Sequence, residues 1–244
     1  MILSSDSEIV ELEYEIFNKI RDKILNCIER IKLATAIIAD LDVYNSLAKV
    51  AYEDKYVKPN INNIGLIQIN GGRHPIVEKS IGLENFIRND SLIGSGSNDI
   101  QILTGPNMSG KSTYLRQIAL IVIMAQIGSF VPADSANIGI VDKIFTRIGA
   151  SDNLYKGEST FMVEMNEVSN IIKNSTKDSL LILDEVGRGT STYDGMSIAW
   201  AVVEYISKNI GAKTLFATHY HELTDLEEKL SNVINLQVKI QENK

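Results

Sequence analysis

The first fifty residues repeat apolar side chains at intervals of three and four positions, with charged residues between them. The repeating positions within residues 5–52 include Ile9, Leu12, Ile16, Ile20, Ile24, Ile28 and Ile31. This spacing places them on one face of a helix. Because no proline or glycine occurs before Pro59, the pattern predicts one or two long amphipathic helices. Such helices either form a protruding lever or pack on their own domain, and the pattern favours neither.

The pattern changes at a polar segment that contains Lys58-Pro59-Asn60 and Asn62-Asn63. Proline and asparagine favour turns, so we place a boundary between a helical segment, residues 1–58, and a second domain, residues 59–244. In the second domain, short apolar runs alternate with helical stripes. Strands are predicted at residues 66–69, 100–103, 144–146, 180–183 and 214–217, and helices at residues 111–127, 161–173 and 195–208. This alternation predicts an α/β fold with helices flanking a mixed, mainly parallel sheet.

Composition and charge narrow the class of protein. The 244 residues carry a net charge of −7, so the chain lacks the general basic surface that is typical of nucleic-acid-binding proteins. Cys27 is the only cysteine, which excludes an internal disulfide and a zinc site built from several cysteines. The strongly apolar stretch 118–127 is much shorter than the ~20 residues that span a bilayer. We therefore expect a soluble, cytoplasmic protein without a membrane partner and with weak DNA binding of its own.

The strongest chemical signal is Gly105-Pro106-Asn107-Met108-Ser109-Gly110-Lys111-Ser112, which fits the pattern G-x-x-x-x-G-K-[ST] at every fixed position. It lies between a predicted strand and a predicted helix, as the phosphate-binding loop requires. The glycines allow backbone N–H groups to point inward, and the helix start adds free donors. Lys111 would reach the β- and γ-phosphates, and Ser112 would ligate Mg²⁺. The motif predicts a nucleoside triphosphate site in preference to an ordinary glycine turn.

Two carboxylates directly follow the apolar run 180–183. Asp184 and Glu185 therefore fall at the carboxyl end of a buried strand, where open α/β sheets bind ligands. Asp184 is placed to hold the Mg²⁺ shell, and Glu185 to orient and deprotonate the attacking water. The pair predicts hydrolysis. Alternatively, the two acids are solvated loop residues, or the protein is a nucleotide kinase. The sequence shows no motif for the phosphate-accepting pocket that a kinase needs.

Three further segments carry candidate chemistry. His219 follows the last predicted strand and can approach a γ-phosphate, whereas His221 is expected to face solvent rather than to join it in a metal pair. The polar loop 187–195 is either a moving or interface part or an ordinary connection. Ser159 and Thr160 open a helical stripe, where their hydroxyls either cap the helix or bind phosphate.

Taken in order, these motifs resemble the ATPase region of the bacterial MutS family of DNA mismatch repair proteins along nearly the whole chain. The resemblance rests on Thr104-Gly105-Pro106-Asn107-Met108-Ser109-Gly110-Lys111-Ser112-Thr113-Tyr114, on Ser159-Thr160-Phe161-Met162-Val163-Glu164-Met165, on residues 184–195, on Phe216-Ala217-Thr218-His219-Tyr220, and on Gly72-Arg73-His74-Pro75 and Phe86-Ile87. The segment Ser159-Thr160-Phe161-Met162 and the ending Ser112-Thr113-Tyr114 of the phosphate loop favour the mismatch-recognising branch over its paralogue.

The resemblance implies an ABC-type P-loop ATPase with two ATP sites shared across a homodimer. It assigns Asn107, Lys111 and Ser112 to the γ-phosphate and Mg²⁺, and it assigns Asp184 and Glu185 to the completion of that site. The nucleotide-binding set implied on one chain is Gly105, Pro106, Asn107, Met108, Ser109, Gly110, Lys111, Ser112 and Thr113.

The remaining roles implied by the resemblance lie outside the phosphate loop. His219 would contact the γ-phosphate, Phe86 and Ile87 would pack the adenine, and Ser159 would serve the site of the opposite subunit. Residues 145–153 would link the nucleotide to DNA-facing domains.

The resemblance also implies that the chain is part of a longer protein. Other domains of that protein would contact mismatched duplex DNA, residues 1–58 would end its lever, and a MutL-type protein would be its repair partner. Two functions are compatible with this resemblance. The chain is either an ATP-hydrolysing domain that couples nucleotide state to mismatch recognition, or a nucleotide-responsive interaction module that cannot hydrolyse ATP alone.

Overall fold

The computed structural model describes residues 2–94, 96–106, 109–148 and 160–238. Contacts between Cα atoms divide the chain into two compact units, Met1–Val50 and Ala51–Lys244. The domain boundary between residues 58 and 59 stays a prediction.

The first unit consists of helices, as the apolar repeat predicted. Helix α1 spans Ile2–Leu25, and helix α2 spans Ile28–Glu53. The last three residues of α2, 51–53, belong to the second unit. Their apolar side chains are largely exposed, and none of the described residues of α2 is buried. Among the helices of the described ranges, none is both long and apolar enough to cross a membrane.

The second unit contains the remaining elements. Its strands are β1 (Asn60–Asn62), β2 (Ile67–Gly72), β3 (Asn89–Ile93), β4 (Ile100–Thr104), β5 (Ser135–Gly139), β6 (Ile144–Ile148), β7 (Leu180–Asp184), β8 (Lys213–Ala217) and β9 (Val233–Gln237). Its helices are α3 (Pro75–Ile81), α4 (Lys111–Gln126), α5 (Thr160–Asn174), α6 (Thr192–Tyr205) and α7 (Leu226–Lys229). A π-helical turn at Ile206–Ile210 extends α6 as far as Gly211, whose φ of 71° ends the helix.

The strands form two sheets. The larger sheet has the order β6-β7-β8-β4-β9, and its neighbouring strands are parallel, which confirms the predicted α/β class. Each predicted strand overlaps an observed one. The second sheet, of order β1-β5-β2-β3, was not predicted from the sequence, and it pairs β2 antiparallel with both β3 and β5.

Alternate residues of the central strands enter two apolar layers. Leu180 and Ile182 of β7 pack with α4 and the second sheet, whereas Leu181 and Leu183 pack with α5 and α6. Each is at most 1% exposed, and burial of such a side chain contributes about 1.5–3 kcal/mol. The strand that ends in the predicted acidic pair is therefore fixed on both faces.

Candidate functional site

Three strand ends meet at the carboxyl edge of the parallel sheet. Strand β8 lies between β7 and β4, so that Ala217 pairs with Asp184 on one side and with Leu103 on the other. The hydrogen bonds continue past the strands, because Glu185 N donates to the carbonyl oxygen of Ala217 at 2.9 Å. The predicted phosphate loop, acidic pair and histidine therefore leave the sheet at one edge.

The phosphate loop uses glycine where the backbone turns sharply. Gly105 has φ of 153° and Gly110 has φ of 90°, and Gly110 is the residue that precedes α4. Lys111 is buried, and its Nζ donates to the carbonyl oxygens of Gly105 at 2.7 Å and Pro106 at 2.9 Å. The loop's own carbonyls thus hold the ammonium group where the motif places phosphate. The predicted residues Asn107 and Met108 lie outside the described residues.

The predicted metal residues contact each other directly. Ser112 Oγ donates to Asp184 Oδ2 at 2.5 Å. Asp184 is 5% exposed, and its second oxygen, Oδ1, is buried without a hydrogen-bond partner among the described residues. A buried carboxylate oxygen without a partner is unusual in a folded protein. Two carboxylate oxygens and a hydroxyl are hard oxygen donors of the kind that Mg²⁺ takes, so these residues fit that ion.

Glu185 stands at a strained position. Its φ of 54° lies in the left-handed region, which is uncommon for a residue other than glycine and frequent at functional sites. Its side chain is 22% exposed, and Oε2 accepts a hydrogen bond from Arg188 Nη1 at 2.5 Å. The tight turn after β7 therefore presents this carboxylate at the surface while Asp184, one residue earlier, stays buried.

The two histidines that follow β8 are both exposed, as expected for His221. The ring of His219 lies with its centroid 4.4 Å from that of Tyr220. Within the described ranges, no group of three or more histidine, cysteine or carboxylate side chains is arranged to hold a metal ion.

A cavity of about 560 Å³ joins the predicted adenine residues to the phosphate loop. Among its lining residues are Phe86, Ile87, Ser109, Gly110 and Thr113. Of the described residues, Lys111, Asp184, Glu185 and His219 do not line this cavity. Ser159 lies outside the described residues. The structure thus brings together the predicted base-binding and phosphate-binding segments in one cavity and places the acidic pair beside it.

Sequence reasoning missed several side chains of this cavity. Gln117 of α4 is fully buried, and neither atom of its amide has a hydrogen-bond partner among the described residues. Tyr114 accepts a hydrogen bond from Ser91 Oγ at 2.9 Å, and burial raises its pKa. Leu236 adds an apolar wall from β9. For Gln117, the signal in the sequence was a glutamine between the apolar positions Leu115 and Ile118 of the predicted helix.

Two more side chains to which the sequence assigned no role contact the loop after Glu185. The backbone N–H of Gly187 donates to Glu164 Oε1 at 2.6 Å, and the Tyr220 hydroxyl donates to the carbonyl oxygen of Gly187 at 3.1 Å. Both residues are buried. They belong to α5 and to the segment after β8, so the loop is held from two different elements.

Comparison with known proteins agrees with this geometry. Residues 101–244 match the family model described as MutS domain V. The chain is 69% identical over 241 residues to the DNA mismatch repair protein MutS of Finegoldia magna, covering 99% of this chain and 28% of the relative. It is 60% identical to the proteins of the same name from Clostridioides difficile and Caldicellulosiruptor bescii, again over 99% of this chain, but over only 26% and 28% of those relatives. The chain therefore belongs to the MutS family and contains domain V, the ATPase domain of that family.

Proposed function

We propose that this domain binds ATP together with Mg²⁺ and hydrolyses it, and that in the intact protein the nucleotide state is coupled to recognition of mismatched DNA. The observation that carries the proposal is the convergence, at one sheet edge, of Lys111, the Ser112–Asp184 pair and Glu185. Membership of the MutS family supports the same activity.

Binding of the triphosphate uses groups that are already in place. Phosphate oxygens replace the Gly105 and Pro106 carbonyls as acceptors for Lys111. Gly110 gives α4 no side-chain cap, and the first N–H groups of α4 would donate to the same oxygens. Phe86 and Ile87, which line the same cavity, pack the adenine. Asn107 and Met108 would contribute from within the phosphate loop.

Hydrolysis then depends on the acidic pair. Ser112 and Asp184 would hold Mg²⁺, which neutralises charge on the phosphates when it is bound. Glu185 accepts a proton from the attacking water and orients it. For this step Arg188 must release the Glu185 carboxylate, with which it pairs in the structure. His219 follows β8 at the same edge and would contact the γ-phosphate.

The Arg188–Glu185 pair also favours a second candidate function. Arg188 contacts one oxygen of the proposed base, Glu185 Oε2, and a chain that kept this contact in its nucleotide-bound state would bind nucleotide and change its interactions without turnover. Such a nucleotide-responsive module differs from the ATPase in a single measurable quantity, the rate of phosphate release.

The test measures binding and hydrolysis separately, with isothermal titration of Mg²⁺-ATP and a phosphate-release assay. Lys111→Ala is expected to weaken binding by at least about tenfold, or ~1.4 kcal/mol. Glu185→Gln is expected to bind normally and to lose hydrolysis. Lys143→Ala is the matched control, because Lys143 also donates to a main-chain carbonyl, that of Asn174, but lies before β6 at the opposite edge of the sheet. Normal ATP binding by Lys111→Ala would contradict the proposal, and binding without phosphate release would favour the module.

The partners proposed for the site follow from the family. A second copy of the chain would complete each ATP site in trans through Ser159, and mismatched duplex DNA and a MutL-type protein would be partners of the full-length protein. The lone, exposed Cys27 is compatible with a reducing cytoplasm.

Removal of Mg²⁺ with a chelator is expected to stop hydrolysis and to weaken ATP binding, which the same two assays measure.

A further inference from the structure

We propose that Glu164 and Tyr220 are positioning residues that hold Gly187 from two sides and thereby fix the carboxylate of Glu185 for hydrolysis. This inference rests on the proposed ATPase function, in which Glu185 is the base. Neither residue touches the reacting atoms. Their effect reaches Glu185 through the backbone, since only Val186 separates Glu185 from Gly187.

The contacts form a buried grip on one residue. Glu164 Oε1 accepts from the Gly187 N–H at 2.6 Å, and the Tyr220 hydroxyl donates to the Gly187 carbonyl oxygen at 3.1 Å. Glu164 is 2% exposed and Tyr220 is 4% exposed. Both polar groups of Gly187 are thus fixed by side chains rather than by a strand or helix.

The backbone strain at Glu185 explains why the neighbouring Gly187 must be held by hydrogen bonds. A left-handed φ at a residue other than glycine costs about 1–3 kcal/mol and persists only where the surroundings hold it. On its amino side Glu185 is anchored by its N–H bond to Ala217. On the C-terminal side, Glu185 forms an ion pair with Arg188, whose side chain is 70% exposed. Exposed ion pairs contribute little to the free energy of unfolding. The charge-assisted bond from Gly187 to the buried Glu164 is the stronger restraint.

The surroundings of Glu164 and Tyr220 keep each side chain in the ionisation state that its hydrogen bond to Gly187 requires. Arg147 of β6 lies 3.5 Å from Glu164 Oε2, and both side chains are at most 4% exposed, so the buried carboxylate has a compensating charge. Burial, together with the charges of Glu164 and Glu185, raises the pKa of Tyr220. The phenol therefore stays protonated and remains a donor to the Gly187 carbonyl.

The grip also ties α5 to the hydrolytic turn of the same chain. Helix α5 begins at Thr160, directly after Ser159, the residue proposed to serve the opposite subunit's ATP site. Glu164 lies one turn further along this helix.

The test compares four variants by ATP affinity and by kcat. Tyr220→Phe and Glu164→Leu are expected to lower kcat by at least about tenfold while the Kd for Mg²⁺-ATP changes less than about twofold, since Glu185 is not needed for binding. Glu164→Gln keeps an acceptor oxygen and should retain more activity than Glu164→Leu. Glu167→Gln is the matched control, because Glu167 lies on the same helix and pairs with the same Arg147, at 3.0 Å, but is not a partner of Gly187. Its kcat should be unchanged.

The outcomes separate the inference from the function on which it rests. Wild-type kcat in both Tyr220→Phe and Glu164→Leu would overturn the inference and leave the ATPase proposal intact. A parallel loss of ATP affinity and kcat would also overturn it, because a general structural role would then suffice. Should Glu164→Leu fail to fold because Arg147 loses its buried partner, Tyr220→Phe decides alone, since it removes a single hydroxyl. A wild-type chain without ATP hydrolysis would overturn the ATPase proposal itself.

Discussion

At the scale of single residues, two glutamines of α4 have opposite surroundings. Gln126 exchanges two hydrogen bonds with the backbone of Val141, at 2.7 and 3.1 Å, whereas the fully buried amide of Gln117 has no partner among the described residues. A buried amide without partners costs free energy, and an apolar side chain of similar size removes that cost.

We therefore predict opposite effects of leucine at these two positions. Gln117→Leu should change the free energy of unfolding by less than about 1 kcal/mol or should increase it, because it deletes an unsatisfied amide. Gln126→Leu should decrease it by about 1–3 kcal/mol, because it leaves the Val141 backbone groups unpaired. Urea denaturation of both variants measures the difference. Equal losses would show that the Gln117 amide has a partner in solution.

His74 gives the second unit a predictable response to pH. Its Nδ1 accepts from the backbone N–H groups of Ile76 and Val77 at 3.3 Å and so caps α3. Burial, reinforced by the charge of Arg116, lowers its pKa below the ordinary value of 6.5, against the opposing effects of its own backbone bond and of Glu78. In the fold the ring therefore stays neutral at a pH where the unfolded chain takes up a proton.

The sign of the effect follows from that difference. Because the unfolded chain binds the proton first, the free energy of unfolding should fall as the pH is lowered from about 7.5 to about 5.5. His74→Asn keeps an oxygen that can cap α3 but does not titrate, so its decline over this range should be shallower. Chemical denaturation at a series of pH values measures both slopes. Identical slopes would contradict the assignment.

The sequence predicted some site residues and not others for a physical reason. Lys111, Ser112, Asp184 and Glu185 stand at fixed spacings next to strand ends, and parallel strands bring their carboxyl ends together. The contacts of Gly187 with Glu164 and Tyr220 span 23 and 33 residues. Such contacts depend on how α5 and the segment after β8 pack, and no local pattern encodes them.

At the scale of elements, the same contrast separates the two sheets. The three central strands of the parallel sheet, β7, β8 and β4, are mostly apolar and buried on both faces, which is why the sequence predicts them. Strand β1 has only three residues, and β2 ends in Asn70-Gly71-Gly72 with an irregular register against β3. Helix α3 has seven residues and a histidine cap, an uncommon capping residue. Apart from the first residues of β2, which the sequence predicted, these elements are specified by tertiary pairing rather than by periodicity.

The first turn of α6 packs on the proposed hydrolytic loop through two glycines. A Cβ at Gly195 would overlap the carbonyl oxygen of Gly187 and the hydroxyl of Tyr220, the two groups that form one arm of the grip. Alanine in place of glycine inside a helix normally stabilises it by about 1 kcal/mol. At this position the overlap outweighs that gain.

We therefore predict that Gly195→Ala lowers kcat by at least about tenfold, because it displaces the Tyr220 hydroxyl from Gly187. Gly211→Ala is the control. Gly211 has φ of 71°, and a Cβ there would meet no described atom within 4 Å, so alanine costs only its backbone strain, about 1 kcal/mol. Thermal melts and phosphate-release rates test both variants. A Gly195→Ala chain with wild-type kcat would show that the loop tolerates the displacement.

At the scale of the whole molecule, net charge decides the expected affinity for DNA. A charge of −7 opposes association with phosphates, so we predict that this chain alone binds duplex DNA no more tightly than typical non-specific proteins, with Kd above about 1 μM at physiological salt. Mobility shifts at several salt concentrations, with matched and mismatched duplexes, measure this. Tight binding with a steep salt dependence would reveal a local basic surface that outweighs the net charge.

Self-association is the last property that belongs to the whole molecule, because we propose that a second copy completes the ATP site. Lys111→Ala removes the site of its own chain but leaves Ser159, whereas Ser159→Ala leaves that site but removes the group proposed to act in trans. Each variant alone should therefore hydrolyse ATP poorly, and a mixture should regain activity, because a hybrid dimer contains one complete site. Phosphate release from the mixture, with light scattering in the presence and absence of Mg²⁺-ATP, measures this. A monomeric mass with ATP, together with wild-type hydrolysis by Ser159→Ala alone, would show that the site is complete within one chain.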